Sequence, residues 1–358
     1  MDEEAVRDRL SEIDDPMLGD DLVSLGLVND VTVDAETVSI DLALGAPYSP
    51  AETELAGTIQ EAFEDTEYAV DLSASVPGRD DARPEEAVLP NVKNVIAVAS
   101  GKGGVGKSTV AVNVAAGLAS RGARVGLFDA DVYGPNVPRM VDADEPPMAT
   151  EDETLVPPEK YGVKLMSMAF LTGEDDPVIW RGPMVHKVIT QLTEDVEWGH
   201  LDYLVVDLPP GTGDTQLTML QTMPVTGAVI VTTPQDVALD DARKGLEMFA
   251  KHETVVLGIV ENMATFACPD CGSQHDIFGA GGGSEFAEIH DMPFLGSIPL
   301  DPAVRAGGDA GEPTVLAESE TGEAFRDVTN AVADNVGVVH RRAVSEADDA
   351  AAPTPDDD

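Results

Sequence analysis

"SGKGGVGKST", residues 100–109, decides the fold, because Gly101 to Ser108 fit the spacing G-x-x-x-x-G-K-[ST]. A buried-strand pattern, Val95 to Ala99, runs into this loop. Ala111, Val114, Ala115 and Leu118 leave it at helical i, i+3, i+4, i+7 spacing, and Gly122 marks the helix end. Strand, glycine loop and helix in that order form a phosphate cradle. Backbone N–H groups of Gly101, Lys102, Gly103, Gly104, Val105, Gly106 and Thr109 and the helix N-terminus can surround phosphates; Lys107 can reach the β and γ oxygens; the Ser108 hydroxyl can bind magnesium.

Outward from the loop, short apolar runs alternate with helical segments from Val92 onward: "NVIAVAS", "RVGLFDA", "LDYLVVD", "GAVIVTT", "VVLGIVENM" and "FLGSIPL". Strands apolar on both faces and separated by helices imply an α/β domain with a mostly parallel sheet flanked by helices, that is, a P-loop NTPase fold over residues 91–340. The second strand ends in Asp129-Ala130-Asp131 and the strand "LDYLVVD" ends in Asp207. Carboxylates at the carboxyl ends of parallel strands face the crevice that the phosphate loop faces. One is expected in the magnesium shell and another to orient the attacking water; any one alone would read as a helix N-cap.

Residues 1–76 form a separate small α/β unit. Val6, Leu10 and Ile13 share a helical face, Val38 to Leu44 alternate as a half-buried strand, and Val70 to Val76 alternate again. Ser49-Pro50-Ala51-Glu52 reads as a helix start, with Ser49 as N-cap, Pro50 in the first turn and Glu52 closing a capping box. "PGRDDARPEEAVLP", residues 77–90, is a linker by its prolines and charges, and residues 341–358 read as a disordered acidic tail.

Composition bounds the setting. There are 67 acidic against 21 basic residues, a formal net charge of -46. Such a surface repels itself unless salt near molar concentration shortens the Debye length to about 3 Å, so a halophile's cytoplasm is expected. Binding to nucleic-acid phosphates needs a Lys and Arg cluster that is not visible here. No apolar run approaches a membrane span and no secretory leader opens the chain, so neither a membrane nor a nucleic-acid partner is expected.

All of the cysteine lies in "TFACPDCGS", residues 265–273, as Cys268 and Cys271. Two thiols cannot form a disulfide framework, and CxxC in a cytosolic chain points to metal or redox chemistry. A thioredoxin-like pair would be expected at a helix start after the first strand of its fold, whereas this loop follows a late strand. Soft thiolates select zinc or an iron-sulfur cluster, both of which take four ligands, and one chain supplies two; a two-fold dimer makes four. His275 is close enough to add a nitrogen, or is a loop histidine in solvent.

Lys102 carries the argument to a family. The chain has only eight lysines and places two of them five positions apart in one loop. The early lysine makes the loop resemble the deviant "KGGxGK[ST]" class of ParA, MinD, nitrogenase iron protein and the Mrp/ApbC iron-sulfur carriers. "DADVYGPNVP", "WRGPM", "DYLVVDLPPGTGD", "TTPQDVAL", "ENMATFACPDCG" and "GSIPLDP" then follow, in order, the pattern of Mrp/ApbC ATPases over roughly residues 90–335. ParA and MinD relatives lack the "CPxCG" and "WRGPM" elements.

That resemblance implies ATP and Mg2+ as cofactors, a homodimer in which Lys102 reaches the partner's nucleotide, and a [4Fe-4S] cluster bridged by Cys268 and Cys271 of two protomers. It implies that Asp131 positions water, that Asp129 and Asp207 support the metal shell, and that Asn262 and the Pro299 to Asp301 loop contact the adenine. The front unit is similar to the small domain that stands alone in iron-sulfur assembly proteins, through "DDPMLGDDLVSLGLVNDV" and the helix at Ser49. Many relatives have a cysteine where Tyr48 or Ser49 stands, so no thiol role is expected there. The expected function is slow ATP hydrolysis tied to passing clusters from a scaffold or sulfide donor to apo-proteins. The alternative is a ParA/MinD-like ATPase with structural zinc at the CxxC.

Overall fold

The computed structural model describes residues 1–76, 88–143, 145–152, 154–171, 182–268 and 271–351. The chain divides into two compact units, residues 1–86 with 333–358 and residues 87–332. In the smaller unit, α1 (Glu3–Leu10), β1 (Val28–Val33), β2 (Thr37–Leu42), α2 (Pro50–Ala62) and β3 (Ala69–Ala74) follow in order. The strands form a sheet β1-β2-β3, antiparallel then parallel. Val6, Leu10, Ile40, Leu55 and Ile59 meet in its core.

Ser49 caps α2 as expected, its Oγ accepting from Glu52 N at 3.2 Å. Glu52 does not close the box. Its carboxylate accepts from the amides of Gly45 and Ala46 and from Arg341 Nη1 at 3.0 Å, because a buried guanidinium draws it inward. Arg341 Nε is also 2.8 Å from Asp15 Oδ2, and all three side chains are buried.

Arg341 belongs to the last helix, α10 (Glu320–Ala351), whose residues from 333 on are part of the smaller unit. The tail expected from residue 341 is therefore helical to Ala351, since Arg341 and the buried His340 anchor what the acidic composition presented as solvent-loving chain. Residues 77–87 of the expected linker and 352–358 of the tail lie outside the described residues. Leu89, at the end of that expected linker, is buried in the core of the larger unit.

The larger unit contains β4 (Val92–Ala99), α3 (Lys107–Ser120), β5 (Val125–Asp129), α4 (Val137–Met140), β6 (Met148–Ala149), β7 (Leu155–Val156), β8 (Glu159–Lys160), β9 (Val163–Ser167), α5 (Gly182–Glu194), β10 (Leu201–Asp207), α6 (Asp214–Thr222), β11 (Gly227–Thr232), α7 (Asp236–Lys251), β12 (Val256–Asn262), β13 (Phe266–Ala267), β14 (Gln274–His275), α8 (Gly282–Ile289), β15 (Phe294–Ile298), α9 (Pro302–Ala310) and the start of α10. Among the described residues the main sheet has eight strands in the order β15-β12-β11-β4-β10-β5-β9-β8. All of its pairings are parallel except β8 with β9. β4, β10 and β5 lie side by side, with Asp207 in register with Asp129. This is the expected P-loop NTPase fold, preceded by a small α/β unit. No helix among the described residues is long and apolar enough to cross a membrane.

Two results are expected for the smaller unit. Arg341→Met leaves Asp15 and Glu52 buried without their cation, a class of change that costs about 3–5 kcal/mol, to be read by denaturant unfolding of the full chain in concentrated KCl. Burial also pushes the Glu52 carboxyl above its ordinary value against the pull of Arg341 and the Ala46 and Gly45 amides. The fold thus holds that proton more tightly than the unfolded chain, so this group's contribution is complete below the unfolded value and lost as pH rises through the folded one. Glu52→Gln, which cannot ionise, should gain on the wild type as pH is raised; a difference that stays constant with pH would contradict this.

Candidate functional site

The phosphate loop leaves β4 at Ser100 and enters α3 at Lys107. Its shape rests on local hydrogen bonds and on two left-handed glycines. Ser100 Oγ donates to Lys102 O at 3.0 Å, and Gly104 and Gly106 have φ of 86° and 88°. Gly101 is a glycine for a different reason: a Cβ there would press into the backbone of Asp241 in α7. Lys102, Ser108 and Thr109 are half-buried, Gly103 and Gly104 are exposed, and the Val105 side chain is buried beneath the loop.

Two carboxylates and a hydroxyl converge on Lys107. Its Nζ donates to Asp207 Oδ1 at 2.5 Å and stands 4.0 Å from Asp131 Oδ2 and 3.3 Å from Ser108 Oγ. Lys107 is 6% exposed and Asp207 0%, so water screens this pair little. Burial pushes Asp207 upward, opposed by Lys107 and Ser108, and its Oδ2 is buried without a hydrogen-bond partner.

Asp129 differs. Its Oδ1 accepts from Asp131 N at 3.3 Å, and its Oδ2 accepts from Val137 N at 3.2 Å and Ser167 Oγ at 2.8 Å. Burial first, and then the neighbouring Asp207 charge, push Asp129 up to about 7. Asp131 Oδ1 accepts from the amides of Tyr133 and Gly134, which leaves Oδ2 facing Lys107. The orphaned Asp207 oxygen beside the Ser108 hydroxyl is a donor set of hard oxygens, which fits a magnesium ion; Asp129 has both oxygens engaged by the chain.

Beside the loop opens a cavity of 380 Å³ whose lining includes Gly106, Thr109, Asn262, Met263, Pro299 and Leu300. The structure thus brings Asn262 and Pro299 to the phosphate loop from the ends of β12 and β15. Asn262 Nδ2 donates to Val105 O at 2.8 Å, and its Oδ1 accepts from Met263 N at 3.0 Å, with Met263 held at φ 58°. Sequence reasoning did not single out Met263 or Arg139 as lining residues. Only the strand-end position of "ENM" hinted at the first.

The cysteines lie on an antiparallel hairpin of β13 and β14. Cys268 N donates to Ser273 O at 2.9 Å and Gly272 N to Cys268 O at 2.8 Å, a tight turn that needs Gly272 at φ 71°. Both thiols are free; Cys268 is half-buried and Cys271 exposed. Cys271 Sγ lies 3.2 Å from Ser273 Oγ, and hydrogen bonds from the Ser273 side chain and backbone and from Cys268 draw the Cys271 thiol below its ordinary value. His275 is exposed on β14. Among the described residues no group of three or more His, Cys, Asp and Glu side chains is arranged to hold a metal ion. Trp180 and Arg181 of "WRGPM", and Pro269 and Asp270 between the cysteines, lie outside the described residues.

Comparison with known proteins agrees with this geometry. Residues 91–335 match the family model for the NUBPL iron-transfer P-loop NTPase, and residues 3–76 match that for an iron-sulfur cluster assembly protein. The chain is 47% identical over 332 residues to an iron-sulfur cluster carrier protein of Deinococcus radiodurans, covering 92% of this chain and 94% of the relative. It is 46% identical to an iron-sulfur cluster transfer protein of Dictyostelium discoideum, over 71% of this chain and 80% of the relative. Among solved structures, a nucleotide-binding protein of Archaeoglobus fulgidus in complex with ADP is 41% identical with a TM-score of 0.56, covering 62% of this chain and 88% of that one. The cell-division ATPase MinD of Pyrococcus furiosus, 24% identical with a TM-score of 0.51 over 67% of this chain and 98% of its own, shares the fold.

Gly106→Ala tests the loop. A left-handed alanine costs about 1–2 kcal/mol, and its Cβ would collide with the Asn262 amide. The expected outcome is an affinity for a fluorescent ADP analogue lower by about tenfold or more, with an unchanged far-UV circular dichroism spectrum.

Proposed function

Because the chain belongs to the family of NUBPL-type iron-transfer P-loop NTPases, we propose that it is an ATP-dependent carrier of iron-sulfur clusters. Its cargo is a [4Fe-4S] cluster held by Cys268 and Cys271 of two copies of the chain. The observation that carries this reading is the hairpin itself, which presents two free thiols, one of them exposed, with no third metal-binding side chain beside them among the described residues. A cluster takes four thiolates, and a second copy supplies the other two.

Nucleotide binds with its phosphates in the Gly101 to Thr109 loop and its base in the cavity lined by Asn262 and Pro299. Magnesium, when bound, is held by Ser108 and Asp207 and offsets phosphate charge. Lys107 leaves Asp207 for the phosphate oxygens. Asp131, with one oxygen fixed by two amides, holds and orients the attacking water through the other. Lys102 reaches the nucleotide of the second copy, so both the hydrolytic site and the cluster site are completed by dimerisation. Hydrolysis is slow, recipients are apo iron-sulfur proteins, and the large acidic excess suits a cytoplasm of concentrated salt.

The test is anaerobic reconstitution of the full chain in concentrated salt, with iron, sulfide and zinc quantified beside the visible spectrum. About four iron and four sulfide per dimer, lost in Cys268→Ala, are expected. Zinc alone, with no sulfide retained, would refute the carrier reading and make the hairpin a structural clasp. Lys107→Ala should lower ATP turnover by about a hundredfold or more and reduce delivery of clusters to apo-protein; full delivery would disconnect hydrolysis from transfer.

A further inference from the structure

The nucleotide cavity has a neighbour. A second cavity, of 550 Å³, is lined by Thr265, Cys268, Gln274, Ser297 and Thr321, and it shares Pro299, Leu300 and Asp301 with the first. The wall between the two is a narrow ribbon. β12 and β15 pair in parallel up to Asn262 and Ile298, and the pairing continues past the sheet edge, with Ala264 N donating to Ile298 O at 3.0 Å and Leu300 N to Thr265 O at 2.9 Å. One strand of the ribbon runs from Asn262, which grips Val105 O of the phosphate loop, through Met263 in the first cavity to Thr265 in the second, and on to Cys268. The other strand ends at Asp301.

Asp301 ties the ribbon to two helices. Its Oδ1 accepts from Ala303 N at 2.8 Å and caps α9, which contributes Val304 and Arg305 to the first cavity. Its Oδ2 accepts from Thr321 Oγ1 at 2.6 Å, and Thr321 is buried at the start of α10 in the second cavity.

We infer that the Pro299 to Asp301 wall between these cavities couples nucleotide binding to the accessibility of Cys268, and that Thr321 is a positioning residue that holds the wall through Asp301. The inference rests on the nucleotide reading of the first cavity but not on the presence of a cluster. A base filling the first cavity presses Pro299 and Leu300 against the hairpin stem at Thr265. With Asp301 pinned by Thr321, that displacement passes to the stem rather than into a rotation of α9, and the half-buried thiol is shielded. Cys271, exposed at the far side of the turn, is outside the second cavity's lining and serves as an internal reference.

The experiment uses the full chain in concentrated salt without a cluster, comparing iodoacetamide alkylation of Cys268 and Cys271 by peptide mass mapping with and without saturating ADP. ADP affinity is measured on the same samples for wild type, Thr321→Ser and Thr321→Val. In wild type ADP should slow alkylation of Cys268 relative to Cys271 by about fivefold or more, the lower range of coupling between sites. Thr321→Ser, which keeps the hydroxyl, should retain that ratio. Thr321→Val, of similar volume without the donor, should lose it while binding ADP as before. An unchanged ratio in wild type with ADP bound, or an intact ratio in Thr321→Val, would overturn the inference alone. Failure of wild type to bind ADP would overturn the nucleotide reading and the inference with it.

Discussion

The contact between Lys107 and Asp207, 2.5 Å long and almost closed to water, sets the conditions for everything around the phosphate loop. A carboxylate buried at the end of a central strand is expensive unless a cation stands beside it. The sheet order supplies that cation, because β4 delivers the loop and its lysine next to β10, which delivers the aspartate. β5 flanks β10 on its other side and brings Asp129 into register with Asp207. One cation cannot neutralise two buried acids, so the pair divides: Asp207 takes the lysine, and Asp129, satisfied by Val137 N, Ser167 Oγ and Asp131 N, is pushed up to about 7. The asymmetry leaves one carboxylate oxygen, Asp207 Oδ2, buried without a hydrogen-bond partner.

The same sheet places the thiols. β12 and β15 end next to the phosphate loop, and the excursion carrying Cys268 and Cys271 is inserted directly after β12. Asn262 stands at the root of that insertion with its amide on Val105 O, so the hairpin is tethered to the nucleotide site before it starts. Glu261, one residue earlier, faces the other way and accepts from Gly283 N at the start of α8, which fixes the point where the excursion returns. The hairpin is thus anchored at both ends while Cys271 stays exposed.

Residues whose type is fixed by local geometry were legible in the sequence. The glycines of the loop, Lys107, Ser108 and the Ser49 cap announce themselves because few residue types meet the same backbone or ligand requirement. Asp129, Asp131 and Asp207 were legible as a group, since strand ends at one edge of a parallel sheet must share a crevice. Their unequal surroundings were not, because these depend on which acid receives Val137 N and, from a later strand, Ser167 Oγ. The strands around Val163–Ser167 escaped notice because Lys164, whose Nζ donates to Trp198 O, breaks the apolar run. Arg341 was misjudged, and the ties of Asp301 went unread, for a related reason. An arginine near an acidic tail reads as solvated, and only the fold reveals Asp15 and Glu52 waiting for it; likewise the Pro299 to Asp301 loop reads only as an adenine contact, while the Asp301 oxygens are taken by Ala303 N and Thr321.

The central claim is that one cluster is shared by two chains through a hairpin that each chain only half completes. Native mass spectrometry of the anaerobically reconstituted protein tests it most directly. The account predicts a dimer carrying the mass of one Fe4S4 unit, with apo and Cys268→Ala chains lacking that increment. A cluster-loaded monomer, or a dimer whose added mass corresponds to zinc, would contradict it.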